Sequence, residues 1–85
     1  MFAYEKHDIV IPCKVSGQPQ PKIYWYKNGQ PISTGDYMEL VDGENLWILG
    51  LIVSDSGFYQ CFAENSVGTI QATMQLKVLQ QGELG

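Results

Sequence analysis

The stretch at residues 54–65, SDSGFYQCFAEN, places four very different residues at every second position. Asp55, Gly57, Tyr59 and Cys61 alternate there with residues of other types. Because successive side chains of a β-strand point to opposite faces, residues two apart share a face. The pattern therefore predicts a strand that carries Tyr59 and Cys61 on its inner face. A glycine at position 57 permits the sharp entry into that strand.

A period of two also runs through the rest of the chain, and no helical period competes with it. Turn signals such as Asn28-Gly29 separate the alternating segments. Short, half-apolar strands at this spacing predict a two-layer β-sandwich. In the last strand, five apolar residues are predicted to share the inner face: Ile70, Ala72, Met74, Leu76 and Val78. The predicted strands are DIVIPCKVSG (8–17), KIYWYK (22–27), DYMEL (36–40), NLWIL (45–49), GFYQCFAE (57–64) and TIQATMQLKV (69–78). Pro12 is expected to break the first of these.

The chain has two cysteines, Cys13 and Cys61, and one histidine, His7. Two cysteines cannot supply the four ligands of a structural zinc site, and His7 is distant in sequence. A single disulfide is the simpler interpretation, and closing that loop would stabilise the domain by about 4 kcal/mol in an oxidising compartment. The alternative is a pair of buried free thiols in a cytosolic relative. We expect His7 to be a solvated surface residue.

The net charge is −4, and the chain contains no arginine. No lysine lies between Lys27 and Lys77, whereas six acidic residues do: Asp36, Glu39, Asp42, Glu44, Asp55 and Glu64. Such a surface repels nucleic acid and acidic lipid, so neither is expected as a partner. No apolar run has the length of a membrane helix. No nucleophile with a base and an orienting partner is evident, and neither a metal nor a cofactor site is predicted, so the chain is not expected to be an enzyme.

Several motifs together make the chain resemble the intermediate-set (I-set) immunoglobulin domain over essentially its whole length. The resemblance implies an all-β immunoglobulin-like sandwich of two antiparallel sheets, with one inter-sheet disulfide between Cys13 and Cys61. It also implies a core signature of Trp25, Leu46, Asp55, Gly57 and Tyr59. The motifs are Cys13-x-Val15-x-Gly17, Pro21-x-Ile23-x-Trp25-x-Lys27-x-Gly29, Leu46-x-Ile48, Asp55-x-Gly57-x-Tyr59-x-Cys61-x-Ala63-x-Asn65 and Gly68.

The chain departs from the I-set pattern at one point. Many such domains pair the aspartate of the Asp-x-Gly-x-Tyr motif with an arginine, and this chain has none. Asp55 is therefore expected to use backbone N–H groups or a lysine.

A narrower likeness concerns the segment NLWILGLIVSDSGFYQCFAEN, which is similar to the fourth immunoglobulin domain of the DCC, neogenin and protogenin class of cell-surface receptors. The resemblance implies a non-catalytic recognition or adhesion module in the extracellular part of a single-pass plasma-membrane protein. Cell adhesion, axon guidance or developmental signalling would be its role. In that class the first four domains fold into a horseshoe, so the fourth would contact the first, and fibronectin type III domains follow.

The same resemblance implies the domain limits and the partners. Residues 1–79 would form the domain, and residues 80–85 a linker toward the next domain or a tail. Expected partners are neighbouring immunoglobulin and fibronectin domains, an extracellular ligand, or a second copy in weak self-association, without direct membrane contact. The alternative is an intracellular structural module of a muscle or cytoskeletal protein, a group that shares this fold and often keeps both cysteines reduced.

Aromatic residues supply the candidate protein interface. If Trp25 and Cys61 point inward, alternation places four aromatic side chains outward on neighbouring strands of one sheet: Tyr24, Tyr26, Phe58 and Phe62. Trp47, on the opposite sheet, is a second candidate contact. Exposed aromatic patches of this kind are typical of protein interfaces. The alternative is that these aromatics only cover one another.

Overall fold

The computed structural model describes residues 1–13, 15, 17 and 19–80. Strands β1, β8, β7, β3 and β4 form a five-stranded sheet, here the large sheet, and β2, β6 and β5 form a three-stranded sheet, here the small sheet. The predicted two-sheet, all-β fold is confirmed. The described elements are β1 (Phe2–Tyr4), β2 (Ile9–Ile11), β3 (Lys22–Lys27), β4 (Gln30–Pro31), β5 (Met38–Val41), β6 (Asn45–Ile48), a 3-10 turn (Val53–Asp55), β7 (Gly57–Glu64) and β8 (Thr69–Leu79).

Most strand pairs are antiparallel, but β1 runs parallel to β8. The prediction of two antiparallel sheets did not include this pair. Strands of three and two residues, such as β1 and β4, are too short for an alternating pattern to reveal them. β2 ends at Ile11, directly before Pro12, as expected. Of the predicted linker, residues 81–85 lie outside the described residues.

A disulfide between Cys13 and Cys61 connects the two sheets, with a Cα–Cα distance of 5.9 Å. Trp25 pairs in register with Cys61, and its side chain is 4% exposed. The indole Nε1–H donates a hydrogen bond of 2.8 Å to the carbonyl of Glu44, in the turn between β5 and β6. The indole therefore links the sheets by packing and by a hydrogen bond, so its one polar group is satisfied in the core. Leu46 lies fully buried in the same core.

A network of hydrogen bonds fixes the entry into β7. The Tyr59 hydroxyl donates to the carbonyl of Asp55, and both side chains are buried. The Asp55 carboxylate accepts a hydrogen bond of 2.9 Å from the N–H of Ile52. Lys27 Nζ lies 5.9 Å from the centre of the Tyr59 ring and donates to the carbonyl of Ser54. Asp55 therefore uses a backbone N–H, one of the two partners expected for it. Lys27 instead contacts the Ser54 carbonyl and the Tyr59 ring.

The turn between β3 and β4 holds the start of β7 in place. Asn28 and Gly29 form a two-residue loop with φ of 50° and 82°, in agreement with the predicted turn. The Asn28 side chain accepts a hydrogen bond of 2.9 Å from the N–H of Phe58. Gly57 has φ of 153°, and a Cβ at this position would lie 2.8 Å from the Asn28 side chain. Glycine is therefore required at position 57 by both space and backbone conformation.

The disulfide should make a large contribution to the stability of this small domain. We expect the native domain to contain no titratable thiol. The Cys13→Ala/Cys61→Ala variant should lose about 4 kcal/mol of unfolding free energy, because the bridge closes a loop with a sequence separation of 48. Urea unfolding with and without a reductant measures the loss. The double-alanine variant is the control, since the reductant should not affect it. Equal unfolding free energies of the wild type with and without the reductant would contradict this expectation.

Replacing Tyr59 with Phe removes a buried hydrogen bond and should cost about 1–2 kcal/mol. Burial, followed by the charges of Asp55 and Tyr37, raises the pKa of the Tyr59 phenol well above its usual value. Since the unfolded chain ionises this phenol at its usual pKa, wild-type stability should fall as the pH rises above about 10. Tyr59→Phe should lack this part of the decline, whereas Tyr24→Phe, at an exposed site, should keep it. Urea unfolding between pH 8 and pH 11 tests both expectations, and equal slopes for all three proteins would refute them.

Candidate protein-contact surfaces

Three aromatic side chains meet on the outer face of the large sheet. The register of β3 and β7 places Tyr24 opposite Phe62 and Tyr26 opposite Gln60. The rings of Tyr26 and Phe62 lie edge to face, with their centroids 5.1 Å apart. Tyr24 is 45% exposed, and Tyr26 and Phe62 are half-buried. We call these three residues the aromatic cluster.

The other two predicted contact residues lie elsewhere. Phe58 is exposed, but it lies four residues before Phe62 on β7, or about 13 Å along the strand. Trp47 lies on the small sheet, paired in register with Val10 on one side and Glu39 on the other, and is half-buried. The predicted group of four on one sheet therefore separates into the aromatic cluster and an isolated Phe58.

Polar groups border the aromatic cluster. A shallow groove is lined by the three aromatic residues together with Glu64 and Thr69. Next to it, the side chains of Gln60 and Gln71 form a hydrogen bond of 3.5 Å, and Lys22 pairs in register with Glu64. Tyrosine supplies a large rigid contact area with a polar end, and a polar rim is typical of protein interfaces. This surface is suited to contact with another protein.

Metal-binding groups and membrane-spanning helices were also sought among the described residues. No group of three or more His, Cys, Asp or Glu residues that could hold a metal ion occurs there. Over the same residues, no helix is long and apolar enough to cross a membrane. His7 is exposed, as expected.

Two exposed apolar residues lie near the turn between β7 and β8, outside the predicted contact surfaces. Val67 is 80% exposed in the turn between β7 and β8, and Ile70 is 52% exposed at the start of β8. Ile70 shares its face with Leu76 and Val78, which are buried. Alternation predicts the face correctly, but it does not predict whether other elements cover that face.

Comparisons with known proteins agree with this architecture. A family model described as "Immunoglobulin I-set domain" matches residues 2–78. Human neogenin is 49% identical over 80 residues, which cover 94% of this chain and 6% of neogenin. Human "Netrin receptor DCC" is 50% identical over 78 residues, which cover 92% of this chain and 5% of the receptor. The chain therefore spans only a small part of the length of these relatives.

Solved structures show the same fold. The titin M3 domain superimposes with a TM-score of 0.82 at 31% identity, covering 91% of this chain and 84% of the titin chain. The tandem Ig repeats of Dlar superimpose with a TM-score of 0.85 at 34% identity, covering 94% of this chain and 43% of the Dlar chain.

The edge-to-face contact between Tyr26 and Phe62 should be measurable in the isolated domain. A double-mutant cycle with Tyr26→Ala and Phe62→Ala should give a coupling of about 0.5–1.5 kcal/mol in urea unfolding. Tyr24 and Phe58, which lie about 13 Å apart along the sheet, form the control pair and should be additive. Additivity of Tyr26→Ala with Phe62→Ala would mean that the cluster is not a packed unit.

Proposed function

The chain belongs to the immunoglobulin I-set family, and on this premise we propose that it is a protein-recognition module in the extracellular part of a multidomain cell-surface receptor. Immunoglobulin domains of this kind are typically non-catalytic. The identity of 49–50% with neogenin and DCC over more than nine-tenths of the chain carries the proposal. Cell adhesion, axon guidance or developmental signalling is the corresponding role. Within the parent chain, residues 1–79 would be the domain and residues 80–85 the linker.

The proposed mechanism is rigid presentation of a surface. The Cys13–Cys61 bridge and the Trp25 indole hold the two sheets together, so the outer face of the large sheet has a defined shape. The aromatic cluster on that face would contact another domain of the same receptor chain. A contact made by three aromatic side chains is expected to bind weakly when the domain is isolated. Its effective affinity should increase when the two domains belong to one chain.

The intracellular structural module is the second candidate, and the likeness to the titin M3 domain favours it. The higher identity with neogenin and DCC, together with the disulfide, supports the receptor instead. Titration of free thiols on protein isolated from its natural source separates the two candidates, because the receptor module should contain none. Two buried free thiols would favour the intracellular module.

Changing Tyr24 to Ser should weaken the proposed contact with little effect on folding, since the side chain is 45% exposed. We expect at least about a tenfold loss of affinity when the domain is titrated against the remaining extracellular domains of its parent chain, because aromatic anchors dominate such contacts. Phe62→Ser should have a similar effect on binding and some cost in stability.

Tyr37→Ser is the matched control. Tyr37 is also exposed, at 52%, but it lines a different groove beside Lys27 and Asn28. Its replacement should leave binding unchanged. Equal affinities of Tyr24→Ser, Tyr37→Ser and the wild type would exclude the aromatic cluster as the contact site, and circular dichroism confirms that each variant is folded.

A further inference from the structure

The turn between β3 and β4 contains a pair of residues with reactive chemistry of its own. Asn28 is the only asparagine that precedes a glycine, since Asn45 is followed by Leu46 and Asn65 by Ser66. Glycine has no side chain to hinder its amide nitrogen or to restrict the backbone. In a flexible chain this nitrogen can therefore reach the side-chain carbonyl carbon of the preceding asparagine, where it acts as a nucleophile.

Contacts with β7 hold Asn28 in the folded domain. The Asn28 N–H donates a hydrogen bond of 2.8 Å to the carbonyl of Phe58, and the Asn28 side chain accepts one of 2.9 Å from the N–H of the same residue. A Cβ on Gly57 would lie 2.8 Å from both polar atoms of the Asn28 amide, so this amide packs directly against the glycine. Asn28 is therefore bound to β7 by its backbone and by its side chain.

The same contacts oppose attack by Gly29. Ring closure requires the Asn28 side chain to fold back over the following peptide bond, whereas both residues lie at positive φ in a turn closed by the pairing of Lys27 with Gln30. A side chain that accepts a hydrogen bond from Phe58 is not free to make that movement. Asn28 and Gly29 are both exposed, so water reaches them and a small leaving group can depart. Conformation, rather than access, therefore limits the reaction.

We propose that Asn28 is a site of spontaneous deamidation that the folded sandwich protects and that reacts when the turn separates from β7. The reaction needs no enzyme and no reactant other than water. It goes beyond the proposed receptor function, because it concerns the lifetime of the folded domain rather than its partners.

The reaction consists of ring closure followed by hydrolysis. First, the Gly29 nitrogen forms a bond to Cγ of Asn28, the bond from Cγ to Nδ2 breaks, and ammonia leaves with the proton that the Gly29 nitrogen loses. Water then opens the resulting succinimide ring. Cleavage between the Gly29 nitrogen and Cγ gives aspartate, whereas cleavage between that nitrogen and the main-chain carbonyl carbon gives isoaspartate. Either product carries a carboxylate, and hence a negative charge, that the asparagine lacks.

The two products differ in their fit to the fold. Aspartate keeps the main chain intact and retains a side-chain oxygen that can accept a hydrogen bond from the N–H of Phe58. In isoaspartate the main chain passes through the former side-chain carbons, so the turn becomes longer. A hairpin of this type requires two residues with defined φ, and Gly57 leaves little space for a displaced group. Isoaspartate therefore prevents the contact between the turn and β7 from forming again.

The disulfide controls how often this reaction can begin. A reaction of a transiently open form proceeds in proportion to the population of that form when opening and closing are fast. The Cys13–Cys61 bridge keeps the open population small, so its loss should accelerate deamidation. Each conversion to isoaspartate would then make the opening of that molecule irreversible.

The rates of deamidation in the native and unfolded wild type test the protection. Incubation at a mildly alkaline pH, with and without guanidinium chloride, is followed by ion exchange, which resolves the new negative charge, and by peptide mapping. The unfolded chain should react at Asn28 at least about tenfold faster than the native domain, because opening of the folded state costs free energy. Asn45 and Asn65 are internal controls and should react much more slowly. Equal rates at Asn28 in both states, or a reaction mainly at the other two asparagines, would overturn the proposal.

Two variants test the cause of the reaction. Gly29→Ala is compared with the wild type in guanidinium chloride, so that folding plays no part. It should react at least about tenfold more slowly, because a methyl group hinders the attacking nitrogen. Without denaturant, Cys13→Ala/Cys61→Ala should react faster than the wild type, by the factor by which its open population is larger. An unchanged rate in either variant would contradict the mechanism.

The stability of the two products tests the consequence. The aspartate and isoaspartate forms are separated after partial reaction, refolded and then unfolded in urea. Asn28→Asp is the matched control, since it should behave as the aspartate form and unfold nearly like the wild type. The isoaspartate form should have an unfolding equilibrium constant about tenfold larger, because the hydrogen bond from Phe58 is lost. Identical unfolding of the isoaspartate form and Asn28→Asp would refute the loss of contact. Because none of these measurements involves binding, their outcome is independent of the proposed receptor function.

Discussion

The cross-link between the sheets, formed by Cys13, Cys61 and the indole of Trp25, is the constraint on which the rest of the structure depends. A domain of this size buries a modest fraction of its surface, so its core alone gives a small stability margin. The disulfide removes chain entropy from the unfolded state, and the indole fills the space beside the bridge. Because Trp25 pairs directly with Cys61, a single cross-strand position determines which side chains of β3 and β7 point inward.

The pairing of Trp25 with Cys61 also determines which side chains lie on the outer face of the large sheet. Once Trp25 and Cys61 occupy the inner face, Tyr24, Tyr26 and Phe62 must occupy the outer one. The hydrogen bonds of Tyr59 and of Asn28 hold the start of β7 and so favour its observed register with β3. A shift of one residue in this register would turn the inward side chains outward and the outward side chains inward. The buried residues that fix the register therefore also determine which side chains form the aromatic cluster.

The sequence alone predicts the alternation of inward and outward side chains within the longer strands. It predicts little about which strands pair with one another. Alternation indicated the limits of β3 and β7 and the faces of Tyr24 and Trp25. It did not indicate β1, because three residues carry no readable period and the pairing with β8 is distant in sequence. The distance between Phe58 and Phe62 could have been predicted, because four residues along one strand span about 13 Å. The edge-to-face contact of Tyr26 with Phe62 could not, because it depends on the register between β3 and β7. Ile70 is 52% exposed although it shares a face with the buried Leu76 and Val78, because burial depends on what packs over each position in the assembled sandwich.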